Sequence, residues 1–162
     1  MIGLIIAIMV MIADQASKAV IYGYLAQGHG MLTVTSFFNL VTAWNTGVSF
    51  SMFNNLGHYG VYILSGFAII VVVFLSYLLY KEKSRLMQVA LGCVIGGALG
   101  NVVDRVRLGA VFDFLDFHFG EHHWPAFNLA DSFICIGAIL IIFGSACTIS
   151  YEKKNNQDKG SK

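Results

Sequence analysis

The chain has 162 residues, 57% of them hydrophobic and only 12% charged, with a formal net charge of +1. Soluble domains carry about 25% charged residues, so the composition points to lipid as solvent, and the length suits one domain. The near-zero charge balance excludes an electrostatic case for nucleic acid or an anionic macromolecule as partner.

The first predicted element is residues 2–22. Its opening run, IGLIIAIMVMIA, has a signal peptide's greasiness but neither a charged leader nor a small-residue cleavage site, and Asp14 and Lys18 interrupt it. It is expected to be a retained first span. The stretch 31–44, MLTVTSFFNLVTAW, is rich in β-branched and aromatic residues and predicts a strand or hairpin. Segments 59–80, 86–108 and 129–150 follow, each long enough to cross a hydrocarbon core that takes about 20 helical residues. The polar tail 151–162 is expected to be disordered.

Lys81, Lys83 and Arg85 fill the connection 81–85, and Lys153, Lys154, Lys159 and Lys162 follow the last span, whereas loops 23–58 and 109–128 hold no Lys or Arg. The positive-inside rule therefore puts both termini in the cytoplasm and the two long loops outside. Arg105 and Arg107, at the outer end of the third span, run against that rule and suggest a specific use.

Ionisable residues inside spans are functional-site candidates by default. Asp14 and Lys18 lie four apart with the acid first, the favoured order for a helical ion pair. Asn101, Asp104 and Arg105 share a face of the third span, and Asp131 opens the fourth at the same level. Asp14, Asp104, Asp113, Asp116, Glu121 and Asp131 thus gather on the outer side, six of the nine acids. Gly92, Gly96 and Gly100 form a stripe that lets another helix come close, and one more turn of it reaches Asp104.

Each candidate also has a plain structural reading. Asn128 can cap the fourth helix and make Asp131 its third residue, where a carboxylate complements the helix dipole. Asp113 and Asp116, in AVFDFLDFHF, face opposite ways on a strand, and spacing does not choose between them. Asp104 with Arg105, and Asp14 with Lys18, read as interhelical scaffold; Asn45 reads as a turn residue before Gly47. His118, His122 and His123 lack a metalloprotease spacing, so no metal is expected. Ser17 is adjacent to Lys18, but a helix points the two in different directions, and Ser132 has no neighbouring base, which argues against nucleophilic catalysis. Cys93, Cys135 and Cys147 read as small buried hydrophobes. What remains is an excess of carboxylates at a wet boundary. Two close aspartates share one proton, so one member can activate water while the other protonates a carbonyl.

DQASK at 14–18, WNTGVSF at 44–50, GGALGNVVDRV at 96–106, VFDFLDF at 111–117 and FNLADS at 127–132 together resemble the lipoprotein signal peptidases, also called signal peptidase II. The likeness runs from about Ile12 to Gly137, and Phe112 stands where valine is more usual. It implies a bacterial inner-membrane aspartyl peptidase that removes signal peptides from diacylglyceryl-modified prolipoproteins, cutting before the lipidated cysteine. It implies Asp113 and Asp131 as the catalytic pair, with Asp14, Lys18, Asn45, Asn101, Asp104, Arg105, Asn128 and Ala130 forming or supporting the site. It also implies an extracytoplasmic sheet, met by 31–44, and a surface helix over the site, met by something within 51–58.

The expectation is therefore an all-α membrane protein of four transmembrane helices with a small extracytoplasmic β-sheet. It forms one membrane-embedded domain, 1–150, monomeric, without metal or organic cofactor, whose partners are lipidated prolipoproteins and membrane lipids. A proton- or ion-coupled transporter is the first alternative, but it predicts acids at the midplane and duplicated halves. A non-catalytic membrane assembly factor is the second.

Overall fold

The structure, a computed structural model, describes residues 2–47 and 57–160, the side chains of 29, 57–59 and 145–160 excepted. The mobile surface helix expected within 51–58 falls mainly outside these residues. Among the described residues there are four long helices and a small sheet: α1 (Ile2–Tyr24), β1 (Met31–Thr35), β2 (Phe38–Asn45), α2 (Gly57–Lys81), α3 (Arg85–Leu108), β3 (Val111–Phe119), β4 (His122–His123) and α4 (Leu129–Gly160). A five-residue π-helical turn, Leu25–His29, joins α1 to β1.

Three helical stretches are long and apolar enough to cross a membrane, Ile2–Gly28, Gly60–Lys81 and Arg85–Leu108, while Leu129–Gly144 is shorter. The expected break between span and tail at residue 150 is absent, for α4 continues as helix to Gly160. No proline or glycine lies between 145 and 159 to stop it.

Helix α3 is the hub and packs against the other three. Its glycines explain how. A Cβ on Gly92 would stand 2.4 Å from the Gly3 carbonyl oxygen, one on Gly96 2.4 Å from that of Ala7, and one on Gly97 2.5 Å from that of Ala130. Gly92 and Gly96 thus admit the backbone of α1, and Gly97 that of α4. Gly96→Ala is expected to force α1 away and cost roughly 1–3 kcal/mol. Gly66→Ala on α2, where a Cβ meets nothing within 4 Å, is expected to be neutral. Thermal unfolding of both variants in one detergent checks the contrast.

Gly109, with φ 73°, ends α3 in a left-handed cap and donates its N–H to the Arg105 carbonyl at 3.1 Å. The chain then turns directly into β3. The sheet is antiparallel in the order β1-β2-β3-β4, so the hairpin expected over 31–44 is present and β3 joins it. Between Leu40 and Ala43 the pairing of β2 with β3 slips by one residue, a bulge that reverses which side chains share a face. A small core of Leu25, Phe112 and Phe114, with Ile21, Leu32, Leu40 and Leu115 against it, seats the sheet on the end of α1.

Candidate active site

The bulge decides what the sheet presents. Asn39 and Asn45 are six apart and would share a face of a regular strand. Instead Asn39 lies opposite Asp116 and donates to it at 2.9 Å, while Asn45 donates to Asp113 Oδ2 at 3.1 Å. Asp113 and Asp116, both buried, therefore meet different surroundings. Asp116 takes the imidazole of His123 on its Oδ1 at 2.8 Å. Burial works against its ionisation, but Asn39 and His123 outweigh this and hold its carboxyl below the usual range. Asp116 is thus satisfied on its own face, and Asp113 faces the helices.

Helix α4 brings Asp131 to the same place. Leu115 of β3 bridges Phe127 through paired backbone bonds, 2.8 Å and 3.1 Å, which fixes the chain just before the helix. Asn128 then caps α4, its Oδ1 accepting from the Asp131 N–H at 2.9 Å while Asp131 Oδ2 accepts from the Asn128 N–H at 3.3 Å. This reciprocal box commits the Asn128 oxygen and turns its Nδ2 toward Asp113 Oδ1 at 2.6 Å and Asn101 Oδ1 at 3.1 Å. Asn101 in turn donates to Asp131 Oδ1 at 2.8 Å. One buried asparagine thus touches both aspartates. The cap expected at Asn128 is present and sets Asp131 within the same network as Asp113.

Burial first, and then the neighbouring charge of Asp131, push the Asp113 carboxyl up from its usual 3.8 to about 6, against the pull of the Asn45 and Asn128 amides. Two carboxylates in each other's field, each met by neutral amide donors, make a pair that holds one proton more readily than none.

Beneath the pair lies an ion cluster. Lys18 Nζ reaches Asp14 at 2.9 Å, Asp104 at 2.7 Å and the side-chain Oδ1 of Asn101 at 3.2 Å. Asp14 also accepts the Ala130 N–H at 2.9 Å, at the start of α4, and Asp104 accepts the Phe112 N–H at 3.2 Å, beside Asp113. All ten expected site residues are therefore connected, Ala130 through its backbone. Asp104 joins an interhelical ion-pair network as its scaffold reading expected, through Lys18 of α1, whereas Arg105 has no ion pair among the described residues. Arg105 instead donates to the Gly47 carbonyl at 3.3 Å, and its Nε has no partner among the described residues. It holds the end of β2 where Asn45 is positioned.

Gln15 was missed. Its amide donates to Asp104 at 2.8 Å, to the Gly100 carbonyl at 3.2 Å and to Asp14 at 3.3 Å. A search keyed to charge passes over a neutral amide, although an uncharged polar side chain between Asp14 and Lys18 is itself a signal. The serines are occupied: Ser17 donates to the Asp14 carbonyl and Ser132 to that of Asn128. Cys93 is buried as expected, but Cys135 is exposed, because its face of α4 looks outward. It lies one turn from Asp131, and both line a groove of about 440 Å³ with Trp124, Phe127, Ser132 and Ile134. Among the described residues no three His, Cys, Asp or Glu side chains are grouped to hold a metal ion.

A family model described as signal peptidase (SPase) II matches residues 6–147. The chain is 43% identical over 141 residues to the lipoprotein signal peptidase of Anaplasma phagocytophilum (strain HZ), covering 87% of this chain and 89% of that protein. It is 45% identical over 139 residues to that of Janthinobacterium sp. (strain Marseille), covering 85% and 84%. A solved structure described as a bacterial membrane enzyme superposes with a TM-score of 0.77 at 31% identity, over 92% of this chain and 90% of that one.

Proposed function

This chain belongs to the signal peptidase II family, and from that membership we infer how its buried aspartates carry out the reaction. The chain is an aspartic endopeptidase that removes signal peptides from lipidated prolipoproteins in a bacterial membrane. The transporter and assembly-factor alternatives find no support in the family. Asp113 and Asp131 are the catalytic pair. One is ionised and draws a proton from water as the water attacks the scissile carbonyl. The other protonates the carbonyl oxygen; the first, now carrying the proton from water, then gives it to the leaving amine as the second takes a proton back from the tetrahedral hydroxyl, so the roles exchange within a cycle.

The observation that carries this reading is the Asn128 bridge, a single cap residue that donates to the Asp113 carboxyl from its side chain and to the Asp131 carboxyl from its backbone N–H. Asn45 and Asn101 orient one acid each. Asp14, Lys18, Asp104 and Ala130 fix the depth of α4 relative to α3, and Arg105 holds the loop after β2. The groove beside Asp131 receives apolar parts of the substrate.

The same reading counts α4 as a fourth span, its apolar run passing Gly144 into the segment 145–150. The lysine distribution puts both termini in the cytoplasm and the site at the outer face. The protein acts as a monomeric single domain among membrane lipids, with 151–162 as a cytoplasmic tail.

Purified protein should shorten a diacylglyceryl-modified precursor and leave its unlipidated twin intact. Equal cleavage of the two, or of neither, would count against the assignment. A pH profile adds a second check. Asp113 keeps its proton up to about pH 6, and above that the shared proton is lost. On the lipidated precursor, kcat/KM should therefore descend as pH rises, with a midpoint within about a unit of 6, approaching tenfold per unit. A profile still climbing through pH 8 contradicts a shared proton held at this pair.

A further inference from the structure

Arg107 remains unexplained by the peptidase site. It is exposed at the end of α3, and it has neither an ion pair nor a hydrogen bond among the described residues. Two positions along a helix are about 200° apart, so Arg107 points away from Arg105 and lies instead on the side of α3 that carries Asp104, three residues back. It lines a cleft of about 220 Å³ between α1 and α3. The other walls are Ala19, Tyr22, Leu108, Phe112 and Trp44. Tyr22 meets Trp44 edge-on at 5.7 Å and Phe112 at 5.5 Å. At the floor Lys18 lies 2.7 Å from Asp104 and also holds Asp14 at 2.9 Å behind it, so the floor offers no free cation and its formal negative charge keeps an anionic headgroup out at the rim. The cleft is thus an apolar, aromatic slot with one uncommitted cation at its rim, set at the end of two membrane helices.

We propose that this cleft binds one anionic phospholipid, its phosphate on Arg107 and an acyl chain against Tyr22, Trp44 and Phe112. A net negative headgroup complements the lone guanidinium, and a zwitterionic lipid brings its own cation in competition. The two aromatic walls also adjoin the reaction site in sequence. Phe112 precedes Asp113, and Trp44 precedes Asn45, which donates to Asp113. An occupant that packs these rings steadies the strands that carry the pair.

Trp44 reports on the cleft directly, since Trp124 is the protein's other tryptophan. The experiment uses the full chain with Trp124→Phe, in phosphatidylcholine bilayers carrying a small fraction of brominated phosphatidylglycerol or brominated phosphatidylcholine. Phosphatidylglycerol should quench Trp44 with about a fivefold binding preference, the scale of one basic residue at a lipid surface. Arg107→Gln should erase the preference, and Arg107→Lys should keep most of it. Equal quenching by the two lipids in the parent chain, or a preference that survives Arg107→Gln, overturns the proposal. Because the readout is binding, it stands or falls independently of peptide cleavage.

Discussion

Asp113→Asn and Asp131→Asn are each expected to lower kcat on the lipidated precursor by at least about 10³-fold while leaving a folded protein. General acid–base catalysis by a single group contributes about 10²–10⁴-fold, and neither member of a proton-sharing pair can be spared. The folded state survives for a different reason at each position. An asparagine at 131 keeps the backbone half of the Asn128 box, the Asp131 N–H bond to Asn128 Oδ1. An asparagine at 113 loses one acceptor, so either Asn45 or Asn128 goes without its bond. Against that loss stands a gain. The folded carboxyl of Asp113 titrates near 6 instead of 3.8, so the folded state binds the proton more tightly than the unfolded chain does. The wild-type protein therefore loses stability as pH rises from about 4 to 6, by up to about 3 kcal/mol at roughly 1.4 kcal/mol per unit. Asp113→Asn removes that dependence and should narrow or reverse its deficit above pH 6. Paired melting curves at pH 4.5 and 7.5, with single-turnover assays on the same samples, distinguish lost chemistry from lost folding. Near-normal turnover in either variant would remove the pair from catalysis.

How much of this was legible in the sequence depends on the range of each interaction. Helices were legible because their signal is local: apolar runs gave α1 and α3 to within a few residues. The ion pair of Asp14 with Lys18 was legible for the same reason, being set by helical spacing alone. The cap at Asn128 followed from a three-residue offset before Asp131. Pairings that close across elements were another matter. An interhelical ion pair for Asp104 was legible but its partner was not: it meets Lys18 from α1 because the glycines of α3 let the two helices approach. The distinction between Asp113 and Asp116 depended on pairing with β2, and the bulge after Leu40 is invisible in a pattern of alternating residues. Gln15 was passed over because an amide carries no charge to single it out in a greasy run. The resemblance to signal peptidase II supplied the aspartate pair in advance; the physical reason for it appears only when strand, cap and helix are assembled.

The largest effect on stability is expected from Lys18→Met. Lys18 is 5% exposed and spends its donors on Asp14, Asp104 and Asn101. Replacing it with an apolar chain of similar length fills the space but leaves two buried carboxylates in each other's field. Breaking a buried ion pair from one side costs about 3–5 kcal/mol, against roughly 1–3 kcal/mol for the overpacking expected of Gly96→Ala. Activity should suffer beyond the loss of folded protein, because Asn101 then has only Asn128 to orient its carbonyl while its amide holds Asp131. Adding Asp104→Asn removes one of the stranded charges. Asp14 still has the Ala130 N–H at the positive end of α4, so the double variant should recover a substantial part of the stability but not full turnover. Lys81→Met, at the exposed end of α2 beside Tyr77, is the control and should change melting by less than about 0.5 kcal/mol. If Lys18→Met melts like the control, the cluster beneath the aspartates is not what holds α1, α3 and α4 at a common depth. The alignment of Asp113 with Asp131 would then have to come from the sheet alone.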